Sequence, residues 1–146
     1  MNQLSNLLLA ALLVVGAIGA ASARAEQKQL LGPYEVHYVV VRSSFFSEAI
    51  AERYGIVRGR DRALMNISVL ANGQPVAASL DGTVINLLEQ RQPLEFREIR
   101  EGSAIYYLAE VRYTDRETLR FRVDLTGPDG TTRSLAFQQK MYWDGR

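Results

Sequence analysis

Turn-forming residues divide the chain from residue 63 onward into short segments, and this spacing constrains the fold more than any other feature. The pairs Asn72-Gly73, Asp81-Gly82 and Glu101-Gly102 and the sequence GPDG at 127–130 each separate two runs of apolar character. Asn-Gly and Asp-Gly pairs readily adopt the positive φ angles of tight hairpin turns. The segments are too short for the crossover connections of a parallel sheet, so the spacing predicts antiparallel strands.

The segments between these turns show the alternation that is typical of half-buried strands. Residues 118–125, TLRFRVDL, are the clearest case, because every second residue from Leu119 to Leu125 is apolar and faces inward. Further strands are predicted at 34–42, 63–70, 75–80, 83–88, 94–99, 103–113 and 132–143. Together they predict an all-β domain, a single antiparallel β-sandwich of immunoglobulin-like type with about seven to eight strands.

One short helix is predicted after the strand at 34–42. In the sequence SEAIAERYG, Ser47 is a candidate N-cap and Gly55 a candidate stop, while Phe46 and Tyr54 lie on one apolar stripe. The second half of the strand at 34–42 is apolar on both faces. The apolar side of the helix is therefore expected to cover one of these faces.

Residues 1–25 have the features of an export signal. An apolar run from Leu7 to Ala20 is followed by ARAE, in which the small residues fit cleavage before Glu26. The chain has no cysteine, which excludes disulfide bonds and a lipid-anchored cysteine. We expect a signal peptide at 1–25 and a β-sandwich domain at 26–146 that is periplasmic and has no membrane span once the signal is removed.

The charge of the predicted mature domain is balanced. Removal of residues 1–25 takes Arg24 away and leaves 16 basic residues against 16 acidic ones. A neutral domain lacks the surplus of basic residues that generic nucleic-acid binding requires. We therefore expect no nucleic-acid partner.

The residue patterns of catalytic and metal sites are missing from the sequence. His37 is the only histidine, whereas transition-metal sites need clusters of His, Cys and carboxylate ligands. Met65 and Met141 could join His37 in a copper site, but Met65 shares an apolar strand face and is expected in the core. No serine lies in a G-x-S-x-G pattern, and Glu95 and Glu98 alternate with arginines, as in a solvated charge ladder. We predict no cofactor, no metal and no catalytic residue.

Three arginines at alternate positions, Arg58, Arg60 and Arg62, precede the strand at 63–70. If this stretch is extended, the three point to one side, which continues along the strand through Asn66, while Met65 faces the core. They form either an anion site or a structural brace. We expect Arg62 to tie the loop to the sheet and Arg58 and Arg60 to be mainly solvated, because a planar guanidinium next to a strand suits such bracing.

Adjacent tyrosines in the strand at 103–113 must face opposite sides of the sheet. Tyr106 shares its side with Leu108 and Arg112, and Tyr107 shares the other with apolar residues. The side of Tyr106 is either covered by the short helix or open as a binding surface. We favour the helix, with the surface for a ligand or partner as the alternative.

The segments YGIVRGRDRALMNISVL, LEFREIREGSAIYYLAEVRY and FQQKMYW resemble a proteobacterial family of short exported proteins that is classed as a domain of unknown function. The resemblance covers essentially the whole chain after the signal. It implies a periplasmic, mostly β, single domain, and it brings no activity, ligand or catalytic residue with it.

Three functions are compatible with these features. The first is a non-catalytic periplasmic module that binds a protein or a cell-envelope component. The second is an assembly-assisting protein that pairs through an exposed strand edge. The third is a small hydrolase, which would need a deep cleft with converging polar groups. The candidate interaction or structural residues are Arg58, Arg60, Arg62, Asn66, Tyr106 and Arg112.

Overall fold

A computed structural model describes residues 27–143, so the predicted signal peptide and its cleavage site lie outside the described residues. Helical structure comprises a 3-10 turn at Ser43–Phe45 and one α-helix, α1, at Glu48–Tyr54. The strands are β1 (Gln27–Leu31), β2 (Tyr34–Arg42), β3 (Arg62–Ala71), β4 (Gln74–Pro75), β5 (Ser79–Asn86), β6 (Arg91–Leu94), β7 (Arg97–Glu101), β8 (Ala104–Arg112), β9 (Thr118–Thr126) and β10 (Thr132–Lys140).

The strands form two antiparallel sheets that enclose one core. The first sheet has the order β1-β2-β3-β8-β7, with β4 paired to β3, and the second has the order β10-β9-β5-β6. The predicted all-β antiparallel sandwich with one short helix is confirmed. The described residues form ten strands, because β1 and the two-residue β4 were not recognised and the predicted strand at 94–99 covers parts of β6 and β7, whereas the predicted strands at 75–80 and 83–88 both overlap the single strand β5.

Two predicted features of the second sheet are wrong. Asp81 and Gly82 lie inside β5 and do not form a turn. A Cβ atom on Gly82 would come within 3.0 Å of Leu94 and 3.1 Å of Phe96, so the glycine lets these two side chains pack closely against β5. The chain passes from the second sheet to the first between β6 and β7, so the apolar alternation at 94–99 spans a crossing between sheets.

The core between the sheets is built from the inward faces of the long strands. Leu119, Phe121, Val123 and Leu125 of β9 are buried there, as predicted. Met65 of β3 and Tyr107 of β8 approach from the first sheet. Such alternation places every second residue of a strand in the core and leaves the others for the outer face.

Helix α1 covers the outer face of the first sheet. The Ser47 side chain accepts a hydrogen bond from the Ile50 backbone N–H at 3.2 Å, and Gly55 ends the helix with a φ of 66°. Phe46 and Tyr54 pack in a second apolar cluster with Leu64, Tyr106 and Leu108. The predicted position and role of the helix are confirmed.

Candidate functional site

A pocket lies at one end of the sandwich, where the two sheets separate. We call this end of the sandwich the Arg62 end. Strands β3, β6 and β9 begin there, and strands β5, β8 and β10 end there. The pocket, here the end pocket, has a volume of about 310 Å³. Its lining residues are Asp61, Val84, Asn86, Gln90, Arg91, Gln92, Arg112, Tyr113, Thr114, Glu117 and Leu119. The volume is at the lower end of the range found for small-ligand sites.

Asn86 organises the turn that forms one wall of the end pocket. Its Oδ1 accepts hydrogen bonds from the backbone N–H groups of Leu88 at 3.0 Å and Gln90 at 2.9 Å. Its Nδ2 donates to Gln90 Oε1 at 2.7 Å and to Glu117 Oε2 at 3.1 Å. The β5–β6 turn is therefore held in one conformation and attached to the β8–β9 connection.

Two leucines project from this fixed turn. Leu87 is 66% exposed and Leu88 is 80% exposed. The sequence pattern predicted both leucines at the end of a strand at 83–88, which is wrong, because β5 ends at Asn86. Their position next to the end pocket adds an apolar surface to its polar rim.

Gln92 connects the two sheets at the end pocket. Its Nε2 donates to the Arg112 carbonyl oxygen at 2.9 Å, and its Oε1 accepts from the Arg112 backbone N–H at 2.7 Å. The side-chain amide thus binds β8 as a neighbouring strand would. This contact fixes the backbone beneath the Arg112 side chain, which is exposed.

The three alternate arginines contact three different parts of the molecule, because a turn at residues 60–61 interrupts the extended stretch. Arg58 lies near Ser44 and 3.7 Å from a carboxylate oxygen of Glu48. Arg60 stacks over the Trp143 ring, with 4.3 Å between the guanidinium carbon and the ring centroid. The three therefore do not form one anion cradle.

Arg62 lies at the beginning of β3 and contacts the neighbouring strand β8. Its Nη1 donates to Glu110 Oε1 on β8 at 3.0 Å, and its Nε lies 4.0 Å from Asp61 Oδ1. The side chain is half-buried. The contact joins the beginning of β3 to β8, where the loop from the helix reaches the sheet.

Asn66 and Tyr106 lie under helix α1. Tyr106 is buried in the helix-side cluster, so its face of β8 is covered by α1. Asn66 is 5% exposed, and its Oδ1 has no hydrogen-bond partner among the described residues. It lines a cavity of about 10 Å³ with the otherwise apolar or aromatic side chains Val39, Val41, Phe46, Tyr54, Ile56, Leu64 and Leu108. The sequence could place Asn66 opposite Met65, but not show that it lacks a partner.

Tyr54 and Tyr107 have raised pKa values with structural causes. Burial, followed by the hydrogen bond to Glu101, raises the pKa of Tyr54, whose hydroxyl donates to Glu101 Oε1 at 3.0 Å. Burial also raises the pKa of Tyr107, whose hydroxyl accepts from the Ala78 N–H at 2.9 Å and donates to Glu98 Oε1 at 3.2 Å. Both phenols stay neutral at physiological pH and join separate segments.

The residues weighed for metal binding are dispersed. His37 Nε2 lies 3.2 Å from Glu35 Oε2, and Met65 and Met141 are buried in the core between the sheets. Within residues 27–143, no group of three or more His, Cys, Asp or Glu side chains is arranged to hold a metal ion. Neither helical segment in that range has the length and apolar character that crossing a bilayer requires.

The end pocket was only partly predictable. Arg112 was singled out, but for its place beside Tyr106, which lies on the helix side. Asn86, Gln92 and the two leucines were missed. The run Asn-Leu-Leu-Glu-Gln at 86–90 carries one available signal, since an asparagine at a strand end favours a turn in which its side chain binds the backbone two residues on.

Comparison with known proteins gives a family and a fold. The model of the family described as Domain of unknown function (DUF4426) matches residues 28–144. A crystal structure of a DUF4426 family protein from Pseudomonas aeruginosa PAO1 is 33% identical, with a TM-score of 0.74, and the match covers 82% of this chain and 97% of that one. A search of curated proteins found no match.

Two further solved structures share the fold at low identity. FetP of uropathogenic Escherichia coli strain F11, expressed in the periplasm, is 11% identical with a TM-score of 0.61 over 82% of this chain and 95% of that one. A copper-bound variant of FetP is 10% identical with a TM-score of 0.60 over 83% and 92%. At this identity the likeness establishes the architecture alone.

Proposed function

The chain belongs to the DUF4426 family, and we propose that it is a non-catalytic periplasmic module that binds a protein or cell-envelope component through the Arg62 end. The observation that carries the proposal is the end pocket of about 310 Å³ beside two exposed leucines on a turn that Asn86 holds in place. A preformed surface of this kind loses little conformational entropy on binding. Apolar groups that are held exposed are typical of interaction sites.

Two observations support a periplasmic location. The apolar run before Glu26 has the composition of an export signal. FetP, which shares the fold, was expressed in the periplasm. Copper binding is a property of the FetP variant, and a likeness of fold at 10% identity does not transfer it to this chain.

The chemistry of the end pocket favours binding over catalysis. No histidine, serine or lysine is among the residues that line it. Glu117 is engaged by Asn86 Nδ2 at 3.1 Å and by the Thr114 N–H at 3.3 Å. The lining therefore lacks the histidine, serine and lysine side chains that form the common nucleophile and base pairs of covalent catalysis, which supports a module without catalytic activity.

Strand-edge pairing has weaker support at three of the four described sheet edges, β7, β6 and β10. The β7 edge alternates charges, and Arg97 Nη2 on it donates to the Tyr54 carbonyl oxygen of α1 at 2.7 Å. The β6 edge is four residues long and contains Pro93. At the β10 edge, Gln29 Nε2 of β1 donates to the Ala136 carbonyl oxygen at 3.3 Å. Charges, proline and covering side chains of this kind oppose the addition of another strand.

The test compares two exposed apolar positions at opposite ends of the sandwich. The double variant Leu87→Ser/Leu88→Ser removes the apolar part of the Arg62 end. Leu30→Ser is the matched control, because Leu30 is 73% exposed and pairs with Glu35 near the opposite end. Each tagged protein is cross-linked in periplasm, and the cross-linked partner is quantified by mass spectrometry.

We expect the double variant to lose the partner that both the native chain and the Leu30→Ser control retain. Equal recovery of that partner by all three proteins would show that the Arg62 end is not the binding surface. Circular dichroism melts establish that both variants are folded, as expected for substitutions of exposed side chains.

A further inference from the structure

A buried asparagine faces the small cavity between helix α1 and the outer face of the first sheet. Asn66 is 5% exposed, and its Oδ1 has no hydrogen-bond partner among the described residues. The seven other residues that line the cavity are apolar or aromatic. Leaving such an acceptor buried and unpaired costs free energy, and few buried polar groups in proteins are left so. The oxygen of Asn66 is therefore available to a ligand that brings a hydrogen-bond donor.

The part of the chain that covers this cavity is a loop whose two ends meet. We call residues 43–59 the helix cover; they contain the 3-10 turn, α1 and the residues up to Gly59. Ser43 Oγ donates to the Gly59 carbonyl oxygen at 2.9 Å and accepts from the Gly59 N–H at 2.9 Å. Arg58 Nη2 donates to the Ser44 carbonyl oxygen at 3.4 Å. Because β2 ends before this loop and β3 begins after it, the helix cover can move about the Ser43–Gly59 contact without unpairing a strand.

Tyr54 attaches the far side of the helix cover to the edge strand β7. Its carbonyl oxygen accepts from Arg97 Nη2 at 2.7 Å, and its hydroxyl donates to Glu101 Oε1 at 3.0 Å. Both partner groups belong to side chains, and Arg97 is exposed. A hydrogen bond that water can replace contributes little net stability. Opening the helix cover at β7 therefore requires the exchange of these two hydrogen bonds and the separation of the apolar contacts beneath α1.

Apolar surface continues from the outside of the helix cover to the cavity. Phe46 and Ile56 line the cavity. Each is next in sequence to an exposed apolar residue, since Phe45 is 53% exposed and Val57 is 50% exposed. The rings of Phe45 and Phe46 are in edge contact, with 5.7 Å between their centroids. Exposed apolar groups of this kind mark binding sites for apolar ligands.

We propose that the cavity under the helix cover is a binding site for a small apolar molecule that carries one hydrogen-bond donor, such as a hydroxyl group. The donor bonds to Asn66 Oδ1, and the apolar part packs on Leu64 and Leu108 of the sheet. The closed cavity has a volume of about 10 Å³, at the lower limit for one water, so the helix cover opens to admit the ligand. This site shares no lining residue with the end pocket and is independent of the function proposed for the Arg62 end.

The test compares two probes that differ in one donor. Octan-1-ol and 1-methoxyheptane have the same atoms, but only the alcohol has an O–H group. Each is titrated into the nitrogen-15-labelled protein, and the amide signals of residues 43–59 are followed by NMR. Asn66→Leu and Asn66→Ala both remove the acceptor, and the alanine variant also leaves space for the probe. Leu87→Ser/Leu88→Ser is the control, because it changes exposed side chains at the Arg62 end.

We expect octan-1-ol to shift the signals of the helix cover in a saturable way. The native protein should bind it at least about fivefold more tightly than 1-methoxyheptane, as one neutral hydrogen bond implies. Both Asn66 variants should lose this preference for the alcohol, and the leucine double variant should keep it. Arg97→Ala should increase the apparent affinity for octan-1-ol, because it removes a contact that holds the helix cover closed.

Four results would overturn the proposal. The first is the absence of a saturable shift at residues 43–59 up to the solubility limit of octan-1-ol, including shifts that are confined to the end pocket. The second is equal affinity of the native protein for the two probes. The third is an alcohol preference that persists in both Asn66 variants, which would assign the donor to another acceptor. The fourth is an unchanged affinity in Arg97→Ala, which would contradict opening at β7.

Discussion

Two buried asparagines give opposite predictions for the same substitution. Asn66 and Asn86 are 5% and 8% exposed, but only Asn86 has its side-chain oxygen paired within the described chain. Leucine has the same branching and the same number of side-chain heavy atoms as asparagine, without polar groups. The pair of variants Asn66→Leu and Asn86→Leu therefore isolates the effect of hydrogen bonding from that of burial.

The expected gain at residue 66 follows from its surroundings. A buried polar group without a partner costs about 1–3 kcal/mol. The adjoining cavity of about 10 Å³ is at the lower limit for one water, and its other walls offer that water few polar partners. We expect Asn66→Leu to raise the free energy of unfolding by about 1–2 kcal/mol. The gain is nearer 1 kcal/mol if the leucine methyl groups crowd the side chains of α1.

The expected loss at residue 86 follows from four hydrogen bonds. Asn86→Leu removes the donors to Gln90 Oε1 and Glu117 Oε2 and leaves the backbone N–H groups of Leu88 and Gln90 without acceptors. Since the turn can reach water on one side, we expect a loss of about 2–4 kcal/mol. The β5–β6 turn should also become mobile in the variant.

Urea unfolding followed by tryptophan fluorescence measures both variants, with a crystal structure of Asn66→Leu to show its packing. A fall of more than about 1 kcal/mol in Asn66→Leu would refute the reasoning, because the native amide would then have to gain from a partner or a firmly bound water. The gain in one variant and the loss in the other need not be equal in size. The free energies of unfolding of the two variants must, however, differ by at least about 3 kcal/mol.

Further outcomes follow from the same contacts. Arg62→Ala should lower the free energy of unfolding by about 1 kcal/mol, because its Glu110 contact is partly solvated. Arg60→Ala should cost about 0.5 kcal/mol or less in a urea melt, as changes of exposed side chains usually do, and equal losses would contradict the bracing role of Arg62. Burial and the hydrogen bond to Glu101 raise the pKa of Tyr54 above its ordinary value of 10.0. The stability that the neutral Tyr54 hydroxyl contributes is therefore complete below the pKa of tyrosine in the unfolded chain, and it is lost as the pH rises through the pKa of Tyr54 in the folded protein. Tyr54→Phe should therefore weaken the loss of stability above about pH 10, and an unchanged alkaline unfolding curve would count against it. Elemental analysis of untagged protein should find no stoichiometric zinc or copper, and one equivalent of either would reverse the expectation about metals.

Local sequence predicted the features that local geometry determines. The turn at Asn72-Gly73 is present because both residues adopt positive φ angles, 51° and 76°, which few other residues tolerate. Ser47 and Gly55 limit α1 as predicted, since capping depends on the nearest backbone groups. Such features need no knowledge of distant segments.

The errors lie where distant segments determine the structure. Gly82 was interpreted as a turn residue, but it is a strand residue that makes room for Leu94 and Phe96. The candidate site was obscured for the same reason, because the hydrogen bonds of Asn86 to Glu117 and of Gln92 to Arg112 join residues far apart in the chain. No periodicity within one strand reports such pairs.

The strand order has a consequence for how the chain acquires its structure. In the first sheet, the pairing of β3 with β8 brings Arg62 opposite Arg112, and in the second sheet, the pairing of β5 with β9 brings Ser79 opposite Thr126. Both sheets therefore need strands from the second half of the chain. Loop-closure entropy must be overcome before such pairings give any stabilisation, and folding of β-rich domains accordingly takes milliseconds to seconds. A fragment ending before β8 would have β2 and β3 without their native cover, and its apolar strands would be exposed to aggregation until the remaining strands arrive.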